Sequence, residues 1–175
     1  MIQIQHLPSP SPPPPPQPSP SPSPFHYHCA MLIRVNSLDG LNEVAEYLIS
    51  LFDKDFKVVL LEGELGAGKT TLVKALCQLL GVMEPVSSPT FSLVQEYESP
   101  SRGIIYHMDF YRLENSQDLD RIGFDEYLDT GNVCLIEWPG VGKSYYTMPH
   151  ILVGIESGND NIRNFRITTN DTMDT

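Results

Sequence analysis

One stretch near the middle of the chain constrains the fold more than any other, because three local patterns follow each other there without a gap. Val58–Glu62 is short and mostly apolar, which is typical of a buried strand. Gly63, four intervening residues and then Gly68-Lys69-Thr70 complete the phosphate-binding pattern G-x-x-x-x-G-K-[ST]. Thr70–Leu80 then places its apolar residues at helical spacing. The sequence therefore predicts a strand, a phosphate-binding loop and a helix in direct succession.

The predicted helix has one apolar face and a defined end. The apolar face consists of Leu72, Val73, Leu76, Leu79 and Leu80. Gly81 follows at the position where a helix C-cap prefers glycine. We therefore expect the helix to pack this face against the core and to end before Gly81.

The residue types of the loop suit the binding of a nucleotide. Backbone N–H groups of the loop and of the helix N-terminus point at phosphates, and the helix dipole favours their negative charge. Glycine lets such a loop turn sharply and approach the ligand closely. Lys69 is predicted to reach the β- and γ-phosphates, and the Thr70 hydroxyl to bind Mg²⁺. The predicted contacts to the nucleotide are Gly63, Glu64, Leu65, Gly66, Ala67, Gly68, Lys69, Thr70 and Thr71.

The composition restricts the partners of the chain. Its 175 residues suit one domain. A net charge of −11 argues against a large nucleic-acid interface, because that affinity comes mainly from Lys and Arg, and it suits a basic protein partner instead. No apolar stretch is long enough to span a membrane. Cys29, Cys77 and Cys134 form no CxxC pair, which favours reduced, buried thiols and a cytosolic protein.

Residues 1–30 differ in composition from the rest of the chain. Eleven of the sixteen prolines lie between Pro8 and Pro24, interleaved with serine. Such a stretch cannot bury a core, so we expect a disordered tail that precedes a globular domain at residues 31–175. The tail is a ligand for an SH3-type module, a passive extension or an artefact of start assignment, and the last two are favoured. Met31 is the expected alternative start of translation.

Strand and helix patterns recur through the rest of the chain. Strands are predicted at Leu32–Val35, Thr90–Tyr97, Gly103–Asp109, Asn132–Ile136, Ile151–Ile155 and Ile162–Ile167. A helix is predicted at Leu38–Phe52 with Ser37 as its N-cap. Leu113–Leu128 indicates one or two short helices that break at Gly123. This alternation of strands and helices indicates an α/β fold.

Two carboxylates stand at the ends of apolar predicted strands, Asp109 on one and Glu137 on another. In parallel α/β sheets, ligands collect at the carboxyl ends of strands, so both side chains are candidates for binding Mg²⁺ directly or through water. Thr90 begins a further predicted strand, where many phosphate-loop proteins carry a residue that senses the γ-phosphate. An ordinary turn residue is equally consistent with that position.

Four motifs follow each other in the chain. They are Gly-Glu-Leu-Gly-Ala-Gly-Lys-Thr-Thr at 63–71, Ser-Pro-Thr-Phe-Ser-Leu at 88–93, His-Met-Asp-Phe-Tyr-Arg at 107–112 and Glu-Trp-Pro at 137–139. Their order and spacing resemble the TsaE family, also called YjeE, the ATPase of bacterial tRNA threonylcarbamoyladenosine synthesis. Many families share the first motif, but the other three are far more specific. The resemblance covers roughly Met31–Ile167.

The resemblance implies a P-loop NTPase fold, a compact three-layer sandwich around a mostly parallel sheet, and a cytoplasmic location. It implies a Mg²⁺-dependent ATPase that is weak alone and is stimulated by its partners. Those partners are TsaB–TsaD-like proteins, which transfer the threonylcarbamoyl group to adenosine 37 of tRNA. Strong direct tRNA binding by this subunit is not expected.

The resemblance also implies roles for single residues. The implied catalytic residues are Lys69, Asp109 and Glu137, and the implied metal ligands are Thr70 and Glu137. Further contacts to the nucleotide are implied for Trp138, Ser37 and Arg163. A switch segment contains Ser88 and Thr90. The third motif also contains His107, Tyr111 and Arg112, to which we assign no role.

Other functions stay open at this point. A small-molecule kinase usually needs basic lid residues, whereas the six arginines of this chain form no basic lid. An ATP-gated protein-binding module with negligible hydrolysis differs from an ATPase mainly in rate, so stimulation by a partner discriminates between them. A GTPase is disfavoured, because the chain contains no Asn-Lys-x-Asp guanine-reading sequence.

Overall fold

In the computed structural model, which describes residues 27–37, 40–159 and 162–171, seven strands form one sheet. The strands are β1 (Tyr27–Val35), β2 (Val58–Glu62), β3 (Val94–Ser99), β4 (Gly103–Asp109), β5 (Val133–Glu137), β6 (His150–Ser157) and β7 (Arg163–Asn170). The helices are α1 (Leu41–Phe52), α2 (Lys69–Leu79), α3 (Ser116–Arg121) and α4 (Phe124–Asp129), with a 3₁₀ helix at Pro139–Gly142. Within these ranges no helix combines the length and the apolar content that crossing a membrane requires.

The sheet is parallel in its centre and antiparallel toward its edges. Its strand order is β1-β7-β6-β2-β5-β4-β3. β2 pairs in parallel with β5 and with β6, and β5 pairs in parallel with β4. The pairs β1–β7, β6–β7 and β3–β4 are antiparallel. The predicted α/β fold with a mostly parallel central sheet is thus confirmed.

Two apolar cores, one on each face of the sheet, give the protein three layers. Val59 and Leu61 of β2 belong to the core that α1 and α2 cover. Val58 and Leu60 belong to the core that α3 and α4 cover. Because both faces are covered, β2 is apolar at all four of these positions instead of alternating. The predicted three-layer sandwich is confirmed.

Helix α2 ends as its sequence predicts. Gly81 has a φ of 80°, and its N–H donates to the Gln78 carbonyl at 3.1 Å. The Val82 N–H donates to the Cys77 carbonyl at 2.9 Å, which completes the hydrogen bonds of a Schellman C-cap. The predicted apolar face is wrong at Leu79, which is 42% exposed. Cys77 belongs to the buried stripe of the helix, and Leu79 lies beyond the edge of that stripe.

Helix α1 begins later than predicted. Its first residue is Leu41 rather than Leu38, and its N-cap residue is Gly40 rather than Ser37. The Ser37 hydroxyl still accepts a hydrogen bond from the Gly40 N–H at 3.3 Å, so it ties the incoming chain to the helix start. Residues 38–39 lie outside the described part of the chain.

Strand β3 also begins later than predicted, at Val94 rather than Thr90. The Leu93 N–H donates to the Pro89 carbonyl at 2.7 Å, which closes a turn before the strand. Leu93 has a φ of 66°, outside the range of an extended strand. Thr90 therefore lies in a turn, not in the strand.

Strand β1 begins before the predicted start of the domain. It starts at Tyr27, four residues before Met31, and pairs with β7 at residues on both sides of that boundary. Residues 27–30 of the predicted tail thus lie in a strand, while residues 1–26 lie outside the described part. At the other end of the chain, the two predicted strands are present as β6 and β7, which form an antiparallel pair.

Truncation of two leucines tests which face of α2 is buried. We expect Leu76→Ala to lower the free energy of unfolding by about 2–5 kcal/mol, because this side chain is fully buried. Leu79→Ala, the matched control, should lower it by less than about 1 kcal/mol. Urea denaturation followed by circular dichroism measures both changes, and equal losses would contradict the assigned face.

Candidate nucleotide-binding site

The carboxyl ends of three parallel strands bring the candidate site residues to one edge of the sheet. In the register of β2 and β5, Leu61 pairs with Glu137, so the loop that follows β2 begins beside this carboxylate. In the register of β4 and β5, Asp109 pairs with the same Glu137. The glycine loop, Asp109 and Glu137 therefore meet at one place.

The loop between β2 and α2 has the backbone that its glycines allow. Gly63, Gly66 and Gly68 have φ values of 153°, 79° and 112°, which residues other than glycine rarely adopt. A Cβ atom at Gly63 would lie 2.7 Å from the Ile155 carbonyl oxygen of β6. A Cβ atom at Gly66 or Gly68 would have nothing within 4 Å. The loop is thus packed on one side and open on the other, directly before the N-terminus of α2.

Lys69, the first residue of α2, lies back against the loop. Its Nζ donates to the carbonyls of Gly63 at 2.7 Å and Glu64 at 2.9 Å, and it lies 3.9 Å from the ring centroid of Trp138. Burial lowers the pKa of the Lys69 ammonium, and the nearby carboxylates of Glu137 and Asp109 oppose this shift. The Lys69 ammonium is thus held between the glycine loop and the carboxylates of Asp109 and Glu137.

Thr70 and Glu137 fit the binding of a hard divalent cation. The Thr70 hydroxyl donates to Glu137 Oε1 at 2.7 Å, so two oxygen groups meet at the start of α2. Mg²⁺ commonly takes one or two protein oxygens and completes its shell with phosphate oxygens and water. In the described ranges no cluster of three or more His, Cys, Asp or Glu side chains could hold a metal alone. The donor set therefore suits Mg²⁺ that arrives with a nucleotide.

Ser88 and Thr90 both contact Asp109. The Ser88 hydroxyl donates to Asp109 Oδ2 at 2.7 Å, and the Thr90 hydroxyl donates to the same oxygen at 2.6 Å. The Tyr111 N–H donates to Asp109 Oδ1 at 3.0 Å. These contacts attach the segment of residues 88–93, which we call the Ser88 segment, to a nearly buried carboxylate.

The glycine loop borders a cavity of about 680 Å³ at Gly63, Glu64 and Leu65. It also borders two smaller cavities, one with the candidate carboxylates and one with Arg163, and we call the larger of these two the larger cavity. A cavity of about 340 Å³ is lined by Leu65, Lys69, Thr70, Ser88, Thr90, Asp109, Glu137 and Trp138. A cavity of about 280 Å³ is lined by Ser37, Gly66, Ala67, Gly68, Thr71 and Arg163. Arg163 Nε donates to the Ala67 carbonyl at 3.1 Å, which fixes the arginine beside the loop. Ser37 and Arg163 thus border the loop in a different cavity from the two carboxylates.

His107 lies closer to the site than its sequence context suggests. It is fully buried on β4, and its Nε2 lies 3.0 Å from Glu137 Oε1. The sequence holds one signal for this position, since His107 stands two residues before Asp109 and alternate strand residues share a face. The neighbouring strand that carries Glu137 could not be named from the sequence alone.

The other two unassigned residues of the third motif lie beyond the end of β4. The Tyr111 ring packs against Trp138, with 4.9 Å between ring centroids. The Arg112 guanidinium lies 4.2 Å from the ring centroid of Phe91, a largely exposed residue of the Ser88 segment. Both residues therefore contact elements that border the larger cavity.

Comparisons with known proteins agree on one family. The family model described as threonylcarbamoyl adenosine biosynthesis protein TsaE matches residues 35–165. A protein named tRNA threonylcarbamoyladenosine biosynthesis protein TsaE from Haemophilus influenzae is 40% identical over 116 residues, covering 66% of this chain and 73% of that protein. A protein of the same name from Rickettsia conorii is 39% identical over 140 residues, covering 78% and 77%.

A solved structure has the same fold. The crystal structure of YdiB from Bacillus subtilis superposes with a TM-score of 0.66 at 29% sequence identity, covering 82% of this chain and 86% of that one. It confirms the P-loop NTPase fold that the four motifs predict. Since the family model matches well over half of the residues, the chain belongs to the TsaE family of tRNA threonylcarbamoyladenosine biosynthesis.

Proposed function

We propose that this protein binds and hydrolyses ATP in support of threonylcarbamoyl transfer to adenosine 37 of tRNA, together with TsaB–TsaD-like proteins. The observation that carries the proposal is the meeting of the glycine loop, Lys69, Thr70, Asp109 and Glu137 at one edge of the sheet. A net charge of −11 supports a protein partner over strong direct tRNA binding. The proposed location is the cytoplasm.

The glycine loop, residues 63–71, binds the phosphates in this proposal. Its open side and the N-terminus of α2 favour negative charge. The Lys69 ammonium has three hydrogens, of which two go to the carbonyls of Gly63 and Glu64, so one remains for a phosphate oxygen. We assign the cavity beside Ser37 and Arg163 to the nucleoside, because it continues from the loop on the side away from the carboxylates.

Thr70 and Glu137 are the proposed ligands of Mg²⁺. Bound Mg²⁺ neutralises the charge that develops on the phosphate oxygens during phosphoryl transfer. The hydrogen bond of 2.7 Å from Thr70 Oγ1 to Glu137 Oε1 holds the Glu137 carboxylate beside Thr70 in the larger cavity. Trp138 follows Glu137 directly and covers the ammonium of Lys69.

Asp109 is the proposed water-positioning residue. Its carboxylate borders the same cavity as Lys69 and Glu137. Hydrogen bonds from Ser88 and Thr90 to Oδ2, and from the Tyr111 N–H to Oδ1, fix its orientation. A carboxylate fixed in this way can orient a water molecule toward the γ-phosphorus and accept its proton.

ATP turnover by the full chain, measured alone and with purified TsaB–TsaD-like proteins, tests the proposed function. We expect slow turnover alone, stimulation by the partners, and a loss of at least about 100-fold in Lys69→Ala, because this lysine is the cation nearest to the transferring phosphate. Lys74→Ala is the matched control, since Lys74 is an exposed lysine of the same helix.

Three outcomes would contradict the proposal. ATP binding without turnover, even with the partners, would favour an ATP-gated binding module. Phosphate transfer from ATP to a small acceptor would favour a kinase. Guanosine nucleotides that compete with ATP at equal affinity would contradict the choice of ATP.

Asp109→Asn tests the water-positioning role, because the amide keeps the shape of the side chain and loses its charge. We expect kcat to fall by about 10²–10⁴-fold. The Kd for ATP should change by less than about tenfold, because this role is exerted in the transition state. Single-turnover hydrolysis and equilibrium binding measure the two quantities. Asp129→Asn, at an exposed carboxylate of α4, is the control. Equal losses of binding and turnover would argue against the assigned role.

Hydrogen exchange tests whether the Ser88 segment responds to nucleotide. Its hydroxyls are bound to Asp109 at the rim of the larger cavity, so a ligand there should change the exchange of residues 88–93. We expect slower exchange in the wild-type protein with Mg²⁺ and a non-hydrolysable ATP analogue, measured by mass spectrometry, because the analogue avoids turnover and the Asp109 carboxylate is kept. Peptides from β6 serve as the internal control. Unchanged exchange in the segment would exclude this ordering.

A further inference from the structure

His107 is a buried polar side chain that contacts the proposed metal-site carboxylate. It is fully buried, and its Nε2 lies 3.0 Å from Glu137 Oε1. Its Nδ1 is also buried and has no hydrogen-bond partner in the described ranges. Within the same ranges, Glu137 is therefore the one residue to which the His107 side chain makes a hydrogen bond.

Packing alone does not explain a histidine at this position. A buried polar atom without a partner costs about 1–3 kcal/mol. Ile105, on the same face of β4, and Leu135, the residue opposite His107 on β5, are apolar and fully buried, so an apolar side chain at position 107 would fill the space without this cost. The hydrogen bond to Glu137 is what the histidine adds.

The Glu137 carboxylate determines which ring nitrogen of His107 carries the hydrogen. An ionised carboxylate only accepts hydrogen bonds, so Nε2 carries the hydrogen and donates it. In the neutral imidazole, Nδ1 then carries a lone pair rather than an N–H, and this lone pair is without a partner among the described residues. The Thr70 hydroxyl donates to the same Oε1 from α2. Two donors from different elements therefore hold one oxygen of Glu137.

We propose that His107 is a positioning residue, which holds the Glu137 carboxylate in the orientation that binds Mg²⁺ with the nucleotide. The inference rests on the proposed nucleotide-binding function. Among the described residues, both hydrogen bonds to this carboxylate go to Oε1, and Oε2 is the oxygen left for the metal. Partners of this kind fix the orientation of metal ligands, and their loss typically weakens metal binding by about 10–100-fold.

Two substitutions separate the hydrogen bond from the packing of the ring. His107→Leu keeps a similar volume and removes the donor. His107→Gln places its amide nitrogen at the reach of the imidazole Nε2 and keeps the donor. Trp138 is the one tryptophan of the chain and lies 3.9 Å from Lys69 Nζ, so its fluorescence reports on the site. Mg²⁺ is titrated into the full chain with a non-hydrolysable ATP analogue present.

We expect His107→Leu to raise the Kd for Mg²⁺ by about 10–100-fold, and His107→Gln to stay within about threefold of wild type. The Kd for the analogue in EDTA should be the same in all three proteins, because His107 does not touch the nucleotide. A merely structural role would change both affinities, or neither. Equal Mg²⁺ affinity in His107→Leu and wild type would overturn the inference, as would equal losses in the two variants.

Thermal unfolding establishes whether each variant is folded. If His107→Leu does not fold, His107→Asn replaces it, because the shorter amide cannot reach the position of Nε2 and should show the same loss of Mg²⁺ affinity. Wild-type affinity in a folded His107→Asn would then overturn the inference. A wild-type protein whose fluorescence and heat of binding do not respond to nucleotide would overturn the proposed function, and this inference with it.

Discussion

The parallel register of β2, β5 and β4 is the constraint on which the candidate site depends. It aligns Leu61 with Glu137 and Glu137 with Asp109, so a loop and two carboxylates share one edge of the sheet. A shift of one residue in either pairing would turn a strand's side chains to the opposite face. Both faces of β2 are packed against separate cores, and such a shift would disturb both at once. The packing of the sheet thus fixes the geometry of the site.

The same edge concentrates charge in little space. Lys69, Asp109 and Glu137 are all nearly buried, although each is ionisable. Burial penalises each charge by itself, and the two carboxylates offset that penalty for the ammonium. The Lys69 ammonium donates to the loop carbonyls, and the hydroxyls of Thr70 and Ser88 donate to Glu137 and Asp109, so these hydrogen bonds compensate the buried polar groups. Removal of one charge would therefore leave another uncompensated. For this reason, substitutions that remove a charge, such as Asp109→Asn, need a measurement of ATP binding beside the measurement of turnover.

The sequence predicted those parts of the fold that local patterns determine. Strands β2 and β4 have the predicted bounds, and Gly81 ends α2 as expected, because apolar runs and a C-cap glycine are local signals. The predicted start of β3 at Thr90 was wrong, because a turn closed by a hydrogen bond between Pro89 and Leu93 replaces four predicted strand residues. The early start of β1 depends on pairing with β7, which is distant in the sequence.

The candidate site likewise has a part that consecutive residues predict and a part that depends on contacts between distant strands. The glycine loop could be predicted in full, since its chemistry lies in consecutive residues. The contact of His107 with Glu137 joins two strands thirty residues apart in the chain, and no spacing rule indicates which strands are neighbours. The third motif contains His107 but gives it no role, and only the buried geometry gives it a partner. Residue types predicted the chemistry here, and tertiary packing determined which groups act on each other.

Asp109 connects two functions that the sequence left as alternatives, an ATPase and an ATP-gated protein-binding module. One oxygen of its carboxylate accepts hydrogen bonds from both Ser88 and Thr90, and in our proposal the same carboxylate orients water for hydrolysis. A proton taken up by Asp109 would weaken its acceptance of those two hydrogen bonds. Hydrolysis would then loosen the Ser88 segment without a separate signal. Under the proposed function, an ATPase and an ATP-gated binding surface would be two consequences of one carboxylate, and the exchange of residues 88–93 should follow the state of the nucleotide.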